Sequence, residues 1–105
     1  MGDSYLPSPE LLKSLLEPLL DDFQYWFGRS LELLENERLS FMSEDEQSNL
    51  LNRVKQAQAE LNTAKMLFAA TNQQVGIDMA ILIPWHQLVR ECWQVSMQFR
   101  QSKEL

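Results

Sequence analysis

Acid–base and nucleophilic catalysis have few candidate side chains, since the chain contains one histidine, His86, and one cysteine, Cys92. A Cys–His pair works only when the imidazole reaches the thiol. On one helix, six positions correspond to about 600° of rotation and about 9 Å of rise, so these two side chains do not face each other. We therefore expect no catalytic residue and no enzyme, and we interpret Cys92 as a small apolar core residue.

Metal and phosphate chemistry also lack their usual ligands. A di-metal helical bundle uses two Glu-x-x-His pairs, which one histidine cannot supply. Asp21 and Asp22 are adjacent, so on a helix they diverge by about 100° and are interpreted as solvated rather than as a clamp. The three glycines lie far apart, at positions 2, 28 and 76, and do not form a phosphate-binding loop. The sequence predicts no metal and no cofactor.

Two groups of aromatic and basic residues are the remaining candidates for binding: Tyr25, Trp26 and Arg29 in one segment, and His86, Arg90 and Trp93 in another. Tyr25 and Arg29 are four residues apart and share a helix face. Arg90 and Trp93 are three apart, which permits cation–π stacking. Because tryptophan, tyrosine and arginine are enriched at binding hot spots, we predict a partner-binding surface if the two groups meet.

Two alternatives stay open for these groups. In the first, both tryptophans are core residues, and the arginines form ion pairs with Glu91 or Glu32. In the second, the groups line a pocket for a small ligand or a pigment.

The charge distribution bears on the class of partner. The net charge is −6, and residues 1–40 contribute −5 of it, from eight acidic and three basic residues. Repulsion disfavours nucleic acid and anionic membrane surfaces, and an acidic N-terminal third suits a basic protein partner. No stretch approaches the roughly 18 apolar residues that span a bilayer, so no integral membrane segment is expected. A single cysteine favours a cytoplasmic location.

The first helix is predicted to begin at Pro9, with Ser8 as its N-cap, and to run to about Glu35. Its apolar positions step by three, four and one: Leu12, Leu16, Leu19, Leu20, Phe23, Phe27, Leu31 and Leu34. Pro18 lies inside this stripe and removes one backbone hydrogen bond. We therefore expect a kink or a break near Leu15–Glu17. Gly28 is a position at which another helix could approach closely.

The second helix is predicted to begin with a capping box formed by Ser43 and Glu46, and to end near Gly76. Its apolar positions alternate in steps of four and three, as in a heptad seam: Leu50, Val54, Ala57, Leu61, Ala64 and Phe68.

The third helix is predicted from about Pro84 to Gln101, after a short turn capped by Asp78. One face carries Ile81, Trp85, Leu88, Cys92, Val95 and Phe99, and a flank of Leu82, Val89, Trp93 and Met97 widens it. An apolar arc this broad is expected to contact more than one neighbouring helix.

These elements predict an all-α fold, a bundle of three main helices with the first kinked or split near Pro18. Residues 1–105 form a single helical domain, in which 1–7 and 102–105 are expected to be flexible. The alternative is a helical dimer in which two short bundles share a core.

Three segments, "LLEPLLDDFQYWFGRS", "RVKQAQAELNTAKMLFAA" and "PWHQLVRECWQV", resemble a family of small cyanobacterial proteins known only as a domain of unknown function. The resemblance covers roughly residues 9–97. It implies a phototrophic bacterial host and a soluble, acidic, helical protein. It implies no activity, and no catalytic residue is carried over.

The first functional hypothesis is therefore a non-catalytic interaction, regulatory or assembly protein, which binds its partner through an acidic first helix and a Trp/Arg surface and could self-associate. The second is a binder of a small apolar or tetrapyrrole-like ligand, held between helices near His86 and Trp93. An enzyme that uses Cys92 or His86 is the least favoured hypothesis.

Overall fold

Three α-helices form the structure, a computed structural model that describes residues 9–70 and 79–104. They are α1 (Pro9–Asn36), α2 (Glu44–Ala70) and α3 (Met79–Glu104). Those two ranges contain no β-strand. The predicted all-α bundle of three helices is confirmed.

Helix α1 is the central element, because it packs against both α2 and α3, whereas α2 and α3 make little direct contact with each other. The buried side chains form one cluster that draws on all three helices. Those with almost no exposed surface are Phe27, Leu20, Leu39, Leu61, Val54 and Cys92. All except Leu39 lie on the predicted apolar stripes. Burying such stripes is the main source of stability for amphipathic helices of this length.

Both internal prolines lie inside continuous helices. Of the two outcomes predicted at Pro18, a kink or a break, the break is wrong, because α1 continues through this residue. The prediction that the third helix begins at Pro84 is also wrong, since α3 begins at Met79. A proline costs a helix one hydrogen bond. At Pro84 the turn before it buries Leu82 in the core, which offsets that loss.

The loop between α1 and α2 is held by the side chain of Gln47, which is 9% exposed. Its Nε2 donates to the carbonyl oxygens of Leu34 and Glu37, at 2.9 and 2.7 Å. Its Oε1 accepts from the backbone N–H of Leu39 at 3.1 Å and from Arg38 Nη1 at 2.9 Å. The amide therefore satisfies carbonyls at the end of α1 that have no partner within the helix.

The predicted capping box at the start of α2 is confirmed. The backbone N–H of Glu46 donates to Ser43 Oγ at 3.0 Å, and the backbone N–H of Ser43 donates to Glu46 Oε1 at 2.9 Å. Hydrogen bonding of the carboxylate, first by the backbone N–H and then by the side chain of Ser43, lowers the pKa of Glu46. The predicted caps at Ser8, Gly76 and Asp78, and the flexible segment 1–7, lie outside the described residues. Helix α3 extends to Glu104, and the flexibility expected at 102–105 stays a prediction.

Two positions on the apolar flank of α3 differ from expectation. Trp93 and Met97 were expected to widen the buried arc, yet they are 40% and 58% exposed. The reason is that α1 covers only one side of α3 in the described part of the chain. Apart from its chain neighbours and the backbone of its own helix, a Cβ added at Gly28 would meet no described atom within 4 Å, so the expected close helix approach does not occur there.

Helices α2 and α3 are joined on the surface by a bidentate ion pair. Arg53 Nη1 and Nη2 donate to the two carboxylate oxygens of Glu91, at 2.9 and 3.0 Å. The hydrogen bond from Arg53 holds the pKa of Glu91 below its usual range. Because the two residues are 38 positions apart, no local pattern predicts this contact.

Candidate functional site

The two predicted aromatic groups meet between α1 and α3. Trp26 lies edge-on to Trp93, with ring centroids 5.6 Å apart and an interplanar angle of 77°. Tyr25 stacks on Trp26 at 5.2 Å and 17°. Both geometries are favoured by the quadrupoles of aromatic rings. The three rings form one continuous cluster across two helices, which we call the aromatic surface.

The aromatic surface is accessible. Tyr25 is 47% and Trp93 is 40% exposed, while Trp26 is half-buried between them. Their neighbours on α1, Phe23 and Phe27, are almost fully buried. Helical phase explains the difference, since residues 23 and 27 share the stripe facing the core and residue 25 lies on the opposite side.

Arg29 forms the edge of this surface. Its guanidinium lies 5.7 Å from the Tyr25 ring centroid and 6.0 Å from that of Trp26. Its Nη1 also donates to the Tyr25 hydroxyl at 3.0 Å. Cation–π contacts of this length hold the guanidinium against the rings without neutralising its charge.

His86 and Arg90 lie further along the same α1–α3 junction. The His86 ring is edge-on to Phe23, with centroids 6.5 Å apart. Both residues line an open groove of about 370 Å³ whose other walls are Leu19, Phe23, Leu82, Ile83 and Gln87. Within the described part of the chain, neither His86 nor Arg90 forms a side-chain hydrogen bond or ion pair.

The contacts within the second group differ from the predicted ones. Cation–π stacking of Arg90 on Trp93 does not occur among the described residues; the arginine over the aromatic surface is Arg29. The alternative in which an arginine of these groups pairs with Glu91 is also wrong, because Glu91 binds Arg53. The structure thus assembles Tyr25, Trp26, Arg29 and Trp93, and leaves His86 and Arg90 in the adjacent groove.

Cys92 is buried, as the sequence predicted, at 2% exposure. Burial raises the pKa of its thiol, and a hydrogen bond with Ser30 opposes this only in part. A nucleophilic cysteine needs a lowered pKa and access to substrate, and Cys92 has neither of these features.

The acidic pair at residues 21 and 22 is exposed, as expected. Asp21 forms an ion pair with Lys65 Nζ of α2 at 2.9 Å, and the same ammonium donates to Gln24. Among the described residues, no three His, Cys, Asp or Glu side chains are grouped so that they could hold a metal ion.

Two structural features, one in the groove and one at the α1–α2 loop, were missed by sequence reasoning. The walls of the groove include Leu19 and Leu82, which the apolar stripes had assigned to the core alone. Gln47 occupies the position three residues before Leu50, so the seam of α2 continues through it. That spacing was an available signal that its side chain points inward.

Fold and surface together define a small all-α protein in which two helices expose aromatic and basic side chains. In the described ranges, no helix combines the length and hydropathy needed to cross a bilayer. Residues 6–101 match the family model described as "Protein of unknown function (DUF2605)", so the chain belongs to that family. No curated protein and no solved structure matches the chain significantly.

Proposed function

We propose that this protein is a non-catalytic interaction or assembly protein of a phototrophic bacterium, acting in the cytoplasm. Its partner is a protein, which binds the aromatic surface and Arg29 and extends toward His86 and Arg90. The host assignment rests on the family resemblance of the sequence. The binding assignment rests on one observation, the exposed Tyr25–Trp26–Trp93 cluster that spans α1 and α3.

The composition of this surface supports protein binding. Large rigid rings lose little conformational entropy when a partner packs on them, and arginine adds hydrogen-bond donors at their edge. Leaving Tyr25 and Trp93 nearly half exposed has no benefit for the stability of the bundle itself. The acidic residues of α1 that flank the surface, among them Asp22 and Glu32, would select basic groups on the same partner.

Affinity capture with surface variants tests this proposal. We expect a specific partner, identified by mass spectrometry from a host lysate, to be retained by the unmodified protein. Trp93→Ala and Tyr25→Ala should each weaken its binding, measured with purified partner, by about 30-fold, the equivalent of about 2 kcal/mol for a hot-spot residue.

Met66→Ala is the matched control, since Met66 is 71% exposed and lies on α2, away from the aromatic surface. It should leave the affinity unchanged. Circular dichroism of every variant establishes that the helices are intact. If Trp93→Ala and Tyr25→Ala bind every specific partner as tightly as Met66→Ala does, the aromatic surface is not the binding site.

The groove beside His86 supports a second candidate function, which is the binding of a small apolar or tetrapyrrole-like ligand. Its volume of about 370 Å³ falls within the range of small-molecule sites. Apolar walls would hold the body of such a ligand, and His86 and Arg90 could bind its carboxylates. A colourless purified protein whose melting temperature is unchanged by candidate pigments would contradict this function.

A further inference from the structure

Helix α3 carries an exposed stripe, along whose edge α1 makes two ring contacts, Phe23 with His86 and Trp26 with Trp93. Its members recur in alternating steps of three and four residues, and every one is exposed: Ile83, His86, Arg90, Trp93, Met97 and Arg100. We call this set the α3 stripe. Its spacing keeps the six side chains on one face of α3, with apolar side chains at three positions and basic ones at the other three.

The α3 stripe is basic although the protein as a whole carries a charge of −6. It holds two arginines and one histidine and no carboxylate. Arg53, Lys55 and Lys65 all have carboxylate partners. Within the described part of the chain, Arg90 and Arg100 have none, so their charges are available to an outside group.

The dimensions of the α3 stripe favour a helix over a small ligand. From Ile83 to Arg100 it covers 17 steps along the chain, which is about 26 Å at the rise of an α-helix. A compact small molecule would cover only one end of that length. An α-helix of about five turns would match it, with its side chains packing between those of α1 and α3.

We propose that the α3 stripe binds an amphipathic α-helix of a different protein, one whose apolar seam is flanked by glutamate or aspartate. The apolar seam would pack on Ile83, Trp93 and Met97, and the carboxylates would bind Arg90 and Arg100. The proposal rests on the proposed function and specifies the chemistry of the partner. A basic segment that contacts acidic residues of α1 can belong to the same partner, on the opposite edge of its helix.

A second copy of this chain is a poor occupant. In a two-fold dimer the same patch faces itself. The α3 stripe holds no carboxylate, so a second copy of the stripe would offer Arg90 and Arg100 no charge partner, whereas an acidic helix would. Long-range repulsion between the acidic protein and an acidic helix is screened beyond about 8 Å at physiological ionic strength, so contacts at the stripe decide the affinity.

Designed peptides test the proposal with the full chain. The first is a fluorescent helical peptide of about 20 residues with a Leu seam and flanking glutamates. The second has lysine at every glutamate position, and the third has the composition of the first in scrambled order. We expect the first peptide to bind, measured by fluorescence anisotropy, at least about tenfold more tightly than either of the others.

A charge reversal locates the binding. Arg90→Glu should weaken the binding of the glutamate peptide by about tenfold or more and strengthen the binding of the lysine peptide. Lys55→Glu is the matched control, because it makes the same change of charge on an exposed residue of α2 and should leave both affinities nearly unchanged. Equal binding of the three peptides, binding of none, or an equal effect of Lys55→Glu would overturn the proposal.

Two further measurements assign the surface to another occupant if the proposal is wrong. Sedimentation equilibrium that shows a dimer lost in Trp93→Ala would assign it to a second copy. Binding to phosphatidylglycerol vesicles that is lost in Arg90→Glu would assign it to a membrane. If a native partner depends on Trp93 but binds Arg90→Glu normally, the proposed function stands and the acidic helix is rejected as the occupant.

Discussion

At the residue scale, Gln47 shows how one polar side chain connects two helices. Both ends of its amide are used, the Nε2 by two carbonyls at the end of α1 and the Oε1 by donors in the following loop. A buried amide of this kind is stabilising only when its hydrogen bonds are formed, since an unpaired polar group in the interior is costly.

Gln47→Ala should therefore lower the free energy of unfolding by about 2–4 kcal/mol, because it leaves several buried backbone groups without partners. Urea denaturation followed by circular dichroism measures this loss. Gln56→Ala is the control, since Gln56 is exposed and its side chain hydrogen-bonds to the exposed Glu60. A loss no larger than that of the control would show that water replaces the amide.

The aromatic residues of the segment "DDFQYWFGRS" differ in burial from one position to the next. Phe23 and Phe27 stack on each other at 6.0 Å, and Phe23 also contacts the buried Trp85. Two residues away along the helix, Tyr25 points to solvent. A single run of aromatic residues thus supplies both the core and the exposed surface, because neighbouring helix positions are separated by about 100°.

At the scale of elements, α1 holds the bundle together, and the weak contact between α2 and α3 is supplemented by Arg53 and Glu91. Each of these side chains is nearly half exposed. Solvent screening therefore limits the contribution of the pair, although its bidentate geometry places it among the stronger surface pairs.

A double-mutant cycle with Arg53→Gln and Glu91→Gln should give a coupling energy of about 0.2–1 kcal/mol at neutral pH. The pKa of Glu91 is lowered in the folded state. Its contribution is therefore complete above the glutamate pKa of the unfolded chain, about 4.3, and is lost as the pH falls through the lower folded value. Thermal unfolding at a series of pH values measures the coupling. A coupling that is unchanged in acid would contradict the assignment.

At the scale of the whole molecule, the only cysteine reports on the integrity of the core. Cys92 lies on the buried face of α3, where burial raises its thiol pKa and excludes reagents. Reaction at this sulfur requires opening of the bundle, and the rate of that reaction measures how often the bundle opens.

A thiol reagent should react with the native protein at least on the order of 10³ times more slowly than with the urea-unfolded chain, given a typical stability of about 5 kcal/mol or more. Absorbance of the released chromophore follows the reaction. The rate should rise with urea in parallel with unfolding. A native rate close to that of the unfolded chain would mean that Cys92 is accessible, and would favour the hypothesis of a reactive cysteine.

Local patterns in the sequence were enough to predict the three helices and their inward faces. Apolar spacing predicted the seam of α2 and most of the buried residues of α1 and α3, and the pair Ser43 and Glu46 predicted the start of α2. These features are local, because helical periodicity and capping depend on residues within a few positions of each other. The candidate residues could be listed for the same reason.

The way in which those faces combine depends on contacts between helices, which no local pattern contains. The tertiary structure brought Trp26 against Trp93, gave Glu91 to Arg53, and left Trp93 on the surface. Each outcome depends on how the helices are arranged around α1. That arrangement is set jointly by residues that are far apart in sequence. The start of α3 before Pro84 also depends on tertiary packing, since burial of Leu82 outweighs the local preference of proline for a helix start.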